Sequence, residues 1–222
     1  KLLLILLCLP MIGFGQQTFV PDDNFEAYLE AHGMGNGIPN DDYVTTTFIN
    51  TKLFLYVLDQ NISDLTGIED FTDLTTLNCR NNQLTSLDVS ANLALTNLHC
   101  YSNQLTSLDV SNNLALTYLR CENNQFTSLD VSNNLALTYL SCSIPSLDVS
   151  NNLALTGLLC AGNQLTSLDV SNNLALTHLS CYFNQLTSLD VSNNLALTYL
   201  SCFSNQLTSL DVSANLALTN LH

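Results

Sequence analysis

Positive charge is what this chain most lacks. Lys and Arg together number 4 against 19 Asp and Glu, a formal net charge of −15 at pH 7. Past the N-terminal stretch only Lys52, Arg80 and Arg120 carry a fixed positive charge. Phosphate contacts depend on clustered cations, so nucleic acid and anionic membrane surfaces are excluded as partners, while cationic or neutral ones are not. Long apolar runs are equally scarce beyond the first residues, and none is continuous enough to span a bilayer. Catalytic signatures are missing too. No G-x-S-x-G, H-E-x-x-H or Gly-rich phosphate loop occurs, and His32, His99, His178 and His222 are scattered along the chain. The sequence therefore calls for no catalytic residue and no enzyme within these residues.

What is abundant is one 21-residue phrase. From Leu74 the copies read LTTLNCRNNQLTSLDVSANLA, LTNLHCYSNQLTSLDVSNNLA, LTYLRCENNQFTSLDVSNNLA, LTYLSCSIPSLDVSNNLA, LTGLLCAGNQLTSLDVSNNLA, LTHLSCYFNQLTSLDVSNNLA and LTYLSCFSNQLTSLDVSANLA, and an eighth begins as LTNLH. A fixed period with leucines at fixed offsets signals a solenoid whose units bury their apolar edges only against neighbours. Alternation along an extended strand sends Leu119 and Cys121 inward and Tyr118, Arg120 and Glu122 outward. A half-period in LTSLDVSNN predicts a second strand-like edge, with Leu129 and Val131 inside and Ser128, Asp130 and Ser132 outside. About seven buried apolar side chains per copy give a gross gain of roughly 10–20 kcal/mol. Ordering costs about 1–2 kcal/mol per residue, so one coil alone should not fold.

The pattern L-x-x-L-x-C-x-x-N-x-L resembles the leucine-rich repeat family, in a short bacterial class with Cys at the third inward strand position. The resemblance implies a leucine-rich repeat solenoid, curved or nearly straight, of short parallel strands, mostly strand and turn, with a small helical N-terminal cap. The phrase ISDLTGIEDFTDL, beginning at Ile62, is similar to the repeats of internalins, secreted bacterial proteins that grip host surface proteins. That likeness implies a secreted or bacterial cell-surface protein that binds a protein or glycan ligand on a cell or matrix surface. Similar proteins of bacteria with type IX secretion end in a C-terminal sorting domain.

Residues 1–15, KLLLILLCLPMIGFG, read as a secretory signal peptide: a basic start, an apolar run too short for a membrane anchor, and small residues near its end. Residues 16–57 lie outside the repeat register and read as an N-terminal cap with one helix, in VPDDNFEAYLEAHG, where acidic residues open the helix and Gly33 stops it. Such a cap covers the open end of the first coil. Residues 58–222 form the repeats: a divergent first coil, seven copies and a truncated eighth. The missing initiator Met and the ending inside a repeat give the sequence the look of a fragment.

Two Asn columns, one after the Cys edge from Asn82 to Asn205 and one after LDVS from Asn92 to Asn215, are expected to form corner ladders that pair backbone groups. In the short copy Ser143, Ile144 and Pro145 replace the corner Asn and its neighbours, which predicts a bend or a gap in the first ladder. The seven cysteines from Cys79 to Cys202 recur with the repeat and lack paired C-x-x-C spacing, so they read as buried thiols rather than disulfides or zinc ligands. No cofactor or metal site is assigned. Calcium is the one ion with a foothold, either in the Gly, Asn and Asp loop at 33–44 or along the row from Asp88 to Asp211, where close like charges call for solvation, partial protonation or cations.

The Cys edge is where the copies differ. Its outward positions carry Asn97, His99, Tyr101, Tyr118, Arg120, Glu122, Tyr139, His178, Tyr182, Phe183, Tyr199 and Phe203. Drift on a solvated surface would not favour Tyr and Phe over Lys and Glu, whereas rigid aromatics among small polar residues are the composition of binding paratopes. These twelve residues are the candidate partner-binding site, and the expected function is protein binding or adhesion. Two other readings stay open: a structural or calcium-stabilised spacer, and a targeting arm for a secreted enzyme.

Overall fold

The computed structural model describes residues 16–222; the signal-peptide reading of 1–15 lies outside the described residues. The chain opens with β1 (Gln17–Phe19), α1 (Asp23–Ala31), β2 (Tyr43–Thr45), a single-turn α2 (Thr46–Ile49) and β3 (Phe54–Tyr56). Each later coil then adds one short strand: β4 (Thr76–Asn78), β5 (Asn97–His99), β6 (Tyr118–Arg120), β7 (Tyr139–Ser141), β8 (Gly157–Leu159), β9 (His178–Ser180), β10 (Tyr199–Ser201) and β11 (Asn220–Leu221). β3 to β11 lie side by side in sequence order as a nine-stranded parallel sheet. One repeat carries the chain around a coil and back by one strand spacing, so Leu98 pairs with Leu119, and Leu119 with Leu140. The short copy keeps this register, Leu140 facing Leu158.

Behind the sheet the leucines and thiols of successive coils stack into one core. Leu119, Leu116 and Cys121 have no exposed surface, and their counterparts in neighbouring coils have almost none. All seven thiols are free and buried, and burial pushes the Cys79, Cys142 and Cys181 thiols up to about 12. They pack as small apolar groups.

Amide side chains pair the carbonyls left over where each coil turns. Asn103 Nδ2 donates to Cys79 O and Cys100 O at 3.0 Å each, while Leu84 N donates back to Asn103 Oδ1 at 3.1 Å. In the second column Asn134 Nδ2 donates to Val110 O and Asn113 O, both at 3.0 Å. A third ladder was not foreseen. Thr117 donates to Thr96 O through both its amide, at 2.9 Å, and its hydroxyl, at 3.1 Å, and the pattern recurs from coil to coil. The short copy, which has no corner Asn, does interrupt the first ladder; it resumes at Asn163, whose Nδ2 donates to Cys142 O at 3.2 Å and Cys160 O at 3.0 Å.

The LDVS edge departs from expectation. Val131 is buried and Asp130 exposed, as alternation requires, yet no strand forms there. The reason is local: Asp130 Oδ1 accepts from Ser132 N at 2.9 Å, an Asx turn that removes a donor from any ladder, and Asn152 Nδ2 takes Val131 O at 2.9 Å. Each coil therefore has one sheet edge, not two.

The cap is built around two carboxylates. Asp22 caps α1, its Oδ1 accepting from Asn24 N and Phe25 N at 3.0 Å. Its Oδ2 accepts from Ser63 N, Ser63 Oγ and Asp64 N at 2.7–3.1 Å, which ties the helix to the first coil. Glu26, fully buried, accepts from the amides of Asp41 and Asp42. Besides α1 the cap carries the antiparallel pair β1–β2 and the turn α2. Phe54–Tyr56, inside the stretch assigned to the cap, is already a strand of the main sheet.

Candidate binding face

Outward positions of a parallel ladder fall into columns, because each residue pairs with its counterpart one coil away. The first column runs Thr76, Asn97, Tyr118, Tyr139, Gly157, His178, Tyr199; the second runs Asn78, His99, Arg120, Ser141, Leu159, Ser180, Ser201. Tyr101, Glu122, Tyr182 and Phe203 follow their Cys residues at the exit from the strands.

The rings are assembled in two groups. In the first, Tyr118 and Tyr139 stack with centroids 4.4 Å apart and planes 3° apart, and His99 leans on Tyr118 at 5.0 Å. Beside them Tyr101 is flanked by two guanidinium groups, Arg120 at 4.2 Å and Arg80 at 5.6 Å from the ring centroid. Arg80 Nη1 donates to the Tyr101 hydroxyl at 2.7 Å, and Arg120 forms an ion pair with Glu122. In the second group Tyr182 and Phe203 stack at 4.7 Å and 4°, with Phe183 edge-on to both at 5.5 and 5.3 Å. His178 and Tyr199 stack at 6.0 Å, and Tyr199 also meets His222. Between the groups lies the coil of Gly157 and Leu159. Tyr139 leans over Gly157 so closely that a Cβ there would come within 2.8 Å of its ring. Asn97 joins neither group; its Oδ1 accepts from Thr96 Oγ1 at 2.8 Å.

Electrostatics follow from this packing. Burial, then the charges of Arg120 and Arg80, hold His99 below the ordinary imidazole range, so it is neutral at pH 7. Burial and the adjacent Tyr118 push the Tyr139 hydroxyl up to about 12. Arg120 is held charged because Glu122 more than offsets the effect of burial.

One ring occupies a costly conformation. The second residue after Cys turns the corner with positive φ, and that place is taken by Asn81, Ser102, Asn123, Gly162 and Ser204 in other coils. In the sixth copy it is Phe183, at φ 53° and 56% exposed. A bulky residue is costly there, since left-handed backbone disfavours it by about 1–2 kcal/mol.

The sheet also presents residues absent from the candidate set. Phe54 and Tyr56 on β3 are exposed and stack at 6.4 Å, extending both columns by one coil. The signal was available, because Leu55 and Val57 occupy the places of Leu77 and Cys79. Arg80, which follows Cys79 as Tyr101 follows Cys100, belongs to the same face through its contact with Tyr101.

The acidic places considered for calcium have hydrogen-bond partners within the chain. Each carboxylate of the Asp row accepts from the serine two residues on, and these contacts hold Asp88, Asp109 and their successors below the usual range, so they are ionised rather than partly protonated. In the loop at 33–44, Asp41 accepts from Asn36 Nδ2 and Tyr43 N. Among the described residues no three His, Cys, Asp or Glu side chains converge as a metal site, and no helix is long and apolar enough to cross a membrane.

Comparison with solved structures places the architecture. The functional domain of InlJ from Listeria monocytogenes, which includes a cysteine ladder, is 36% identical over 94% of this chain, with a TM-score of 0.58. The chain is a leucine-rich repeat protein. It spans 57% of the InlJ domain's length. The internalin C2 of L. monocytogenes, at 20% identity, shares the fold with a TM-score of 0.75 over 93% of this chain and 96% of that one. So does the ectodomain of the plant receptor kinase GASSHO1/SCHENGEN3 from Arabidopsis thaliana, solved in complex with Casparian strip integrity factor 2, at 24% identity and a TM-score of 0.62 over 72% of this chain and 22% of that one. No family model and no curated protein matches the chain.

Proposed function

We propose that this leucine-rich repeat protein is an extracellular binding or adhesion module that grips an extended protein segment along the outer face of β3 to β10. The observation that carries this reading is the pre-stacked set of rings on the one face where otherwise uniform coils differ. Rings already held in stacks lose little freedom when a partner covers them, so more of the contact energy appears as affinity. Aromatic and Arg side chains are also the commonest anchors of protein interfaces. Phe183, held in an unfavourable backbone conformation with its ring in solvent, is accounted for by a partner contact and by nothing in the core. The leucine-rich repeat receptor ectodomain solved with its factor supports a protein as the partner class, and the likeness to InlJ supports a place on or outside a bacterial surface.

The test is a solid-phase binding screen against immobilised extracellular and cell-surface proteins, run on wild type and on the Tyr118→Ala, Tyr139→Ala, Tyr199→Ala triple variant. Wild type is expected to bind at least one protein, and the variant to lose that binding with its melting nearly unchanged. A Leu119→Ala control should instead lose about 2–5 kcal/mol of stability. Retention of full binding by the triple variant refutes the assignment of this face.

A further inference from the structure

A second surface of the coils is apolar and lies largely outside the core. In the phrase N-L-A-L-T the second Leu is core, Leu116 being fully buried, but the first points outward. Leu93, Leu114, Leu135, Leu153, Leu174 and Leu195 are each 60–63% exposed, and Leu216 is 93% exposed. They occupy the turn that leads into each strand, one per coil, with Ala94 and its counterparts beside them. At the ~4.8 Å spacing of neighbouring strands the row is about 29 Å long.

We propose that this leucine row is the interface of a homodimer, packed against the same row of a second copy. Size is the first argument. Each leucine leaves on the order of 100 Å² exposed, so the seven leucines alone amount to about 700 Å². That exceeds the patch of a typical monomer and approaches the ~800 Å² that each partner contributes to a stable interface. Charge is the second. The repeated N-L-A-L-T contains no ionisable group, so the row is a neutral strip on a chain of net charge −15. A partner recognised by charge has nothing to engage there. Symmetry is the third. A uniform row is complementary to itself under a two-fold axis, each leucine settling between two of the other copy, whereas a dissimilar partner would need a matching row of its own. The row is separate from the tyrosine columns, so the dimer would carry two binding faces and gain avidity on a surface displaying many copies of the partner.

The acidic rows set the salt dependence. Asp109 lies five residues before Leu114, and bringing two copies together brings two such rows closer. Screening by salt relieves that repulsion while leaving apolar contact intact, so dimerisation should strengthen as salt rises. A contact held by ion pairs would do the opposite.

Sedimentation velocity over a concentration series, at low and high salt, tests the proposal on the wild-type chain. The expected result is a monomer–dimer equilibrium that shifts toward dimer with salt. The Leu114→Gln, Leu135→Gln, Leu174→Gln variant should raise the dissociation constant at least about a hundredfold. Those side chains are mostly in solvent, so its circular dichroism and melting should match wild type. The Tyr118→Ala, Tyr139→Ala, Tyr199→Ala variant should dimerise as wild type does. A wild-type chain that stays monomeric up to millimolar concentration overturns the proposal. So does a glutamine variant that dimerises unchanged, since the contact would then lie elsewhere, as at the edge of β11.

Discussion

The ring of Tyr139 rests on Gly157, its Cδ2 only 2.8 Å and its Cε2 3.3 Å from the place a Cβ would occupy. The glycine is thus the seat of the ring that completes the stack with Tyr118. Gly157→Ala is expected to push Tyr139 away and open that stack, while the strand itself accepts alanine and stability moves by about 1 kcal/mol or less. Near-ultraviolet circular dichroism should report the altered tyrosine environment, and affinity for the partner should fall. An unchanged tyrosine signal in the variant would refute the stated role of Gly157.

Phe183 makes the opposite trade. At φ 53° it holds a place that other coils give to Asn, Ser or Gly. Phe183→Asn should therefore stabilise the protein by about 1 kcal/mol through relief of left-handed strain. It should also weaken partner binding, because the edge-on contacts to Tyr182 and Phe203 disappear. Thermal melting and a binding titration on one sample decide the matter. A variant that is less stable than wild type would mean that the ring contributes to folding after all.

How much of this could be read from residues alone depended on period. Leu119 and Cys121 announce a buried edge because their spacing recurs in copy after copy, and Tyr118 and Arg120 announce an outward face because alternation leaves them no other. Asp130 misled. Its alternation with Leu129 and Val131 matches a strand, but its carboxylate captures the amide of Ser132, a local contact that hydropathy does not register. Phe54 and Tyr56 were missed because the first coil has neither the Cys nor the L-T opening of the others, although Leu55 and Val57 keep the inward spacing. The threonine ladder of Thr96 and Thr117 was hidden by its uniformity: a polar residue at the same place in every copy shows no contrast that marks a role until its hydroxyl is seen on the carbonyl of the coil before. The division of the face into two ring groups rests on side-chain packing around Gly157, which no linear pattern encodes.

The second Asn ladder yields a prediction that is sharp because the replacement is nearly isosteric. Asn134 Nδ2 donates to two buried carbonyls, and the side chain has no exposed surface. Asn134→Asp turns that donor into an acceptor, facing two carbonyl oxygens with a charge. The expected cost at pH 7 is about 3 kcal/mol or more, as for any buried charge left without a partner. The neighbouring Asn133 is exposed, so Asn133→Asp should stay within about 0.5 kcal/mol of wild type. Urea unfolding of the two variants side by side makes the comparison. Equal stability would show that the ladder amides carry no weight.

Acid should loosen the protein first at Asp22. Burial raises the pKa of this carboxyl, but hydrogen bonds from Ser63, Phe25 and Asp64 outweigh it and leave the group below its ordinary value. A group with a depressed folded pKa contributes stability that is fully present above the unfolded value, near 3.8. That stability is lost as pH falls through the folded value, because the unfolded chain then binds the proton more readily. The Asp row, depressed by its serines, acts in the same sense. Melting temperature should hold steady from neutral pH down to about 4 and then drop. Asp22→Ala should lose about 1–3 kcal/mol at pH 7, since it removes both the cap of α1 and the tie to the first coil. As the pH is lowered, the gap between this variant and wild type should narrow. Hydrogen exchange locates the effect: amides of α1 should lose protection in the variant while those of β9 and β10 keep theirs. A uniform loss along the solenoid would show that the cap and the distant coils open as one unit, and that Asp22 guards the whole array rather than its first turn.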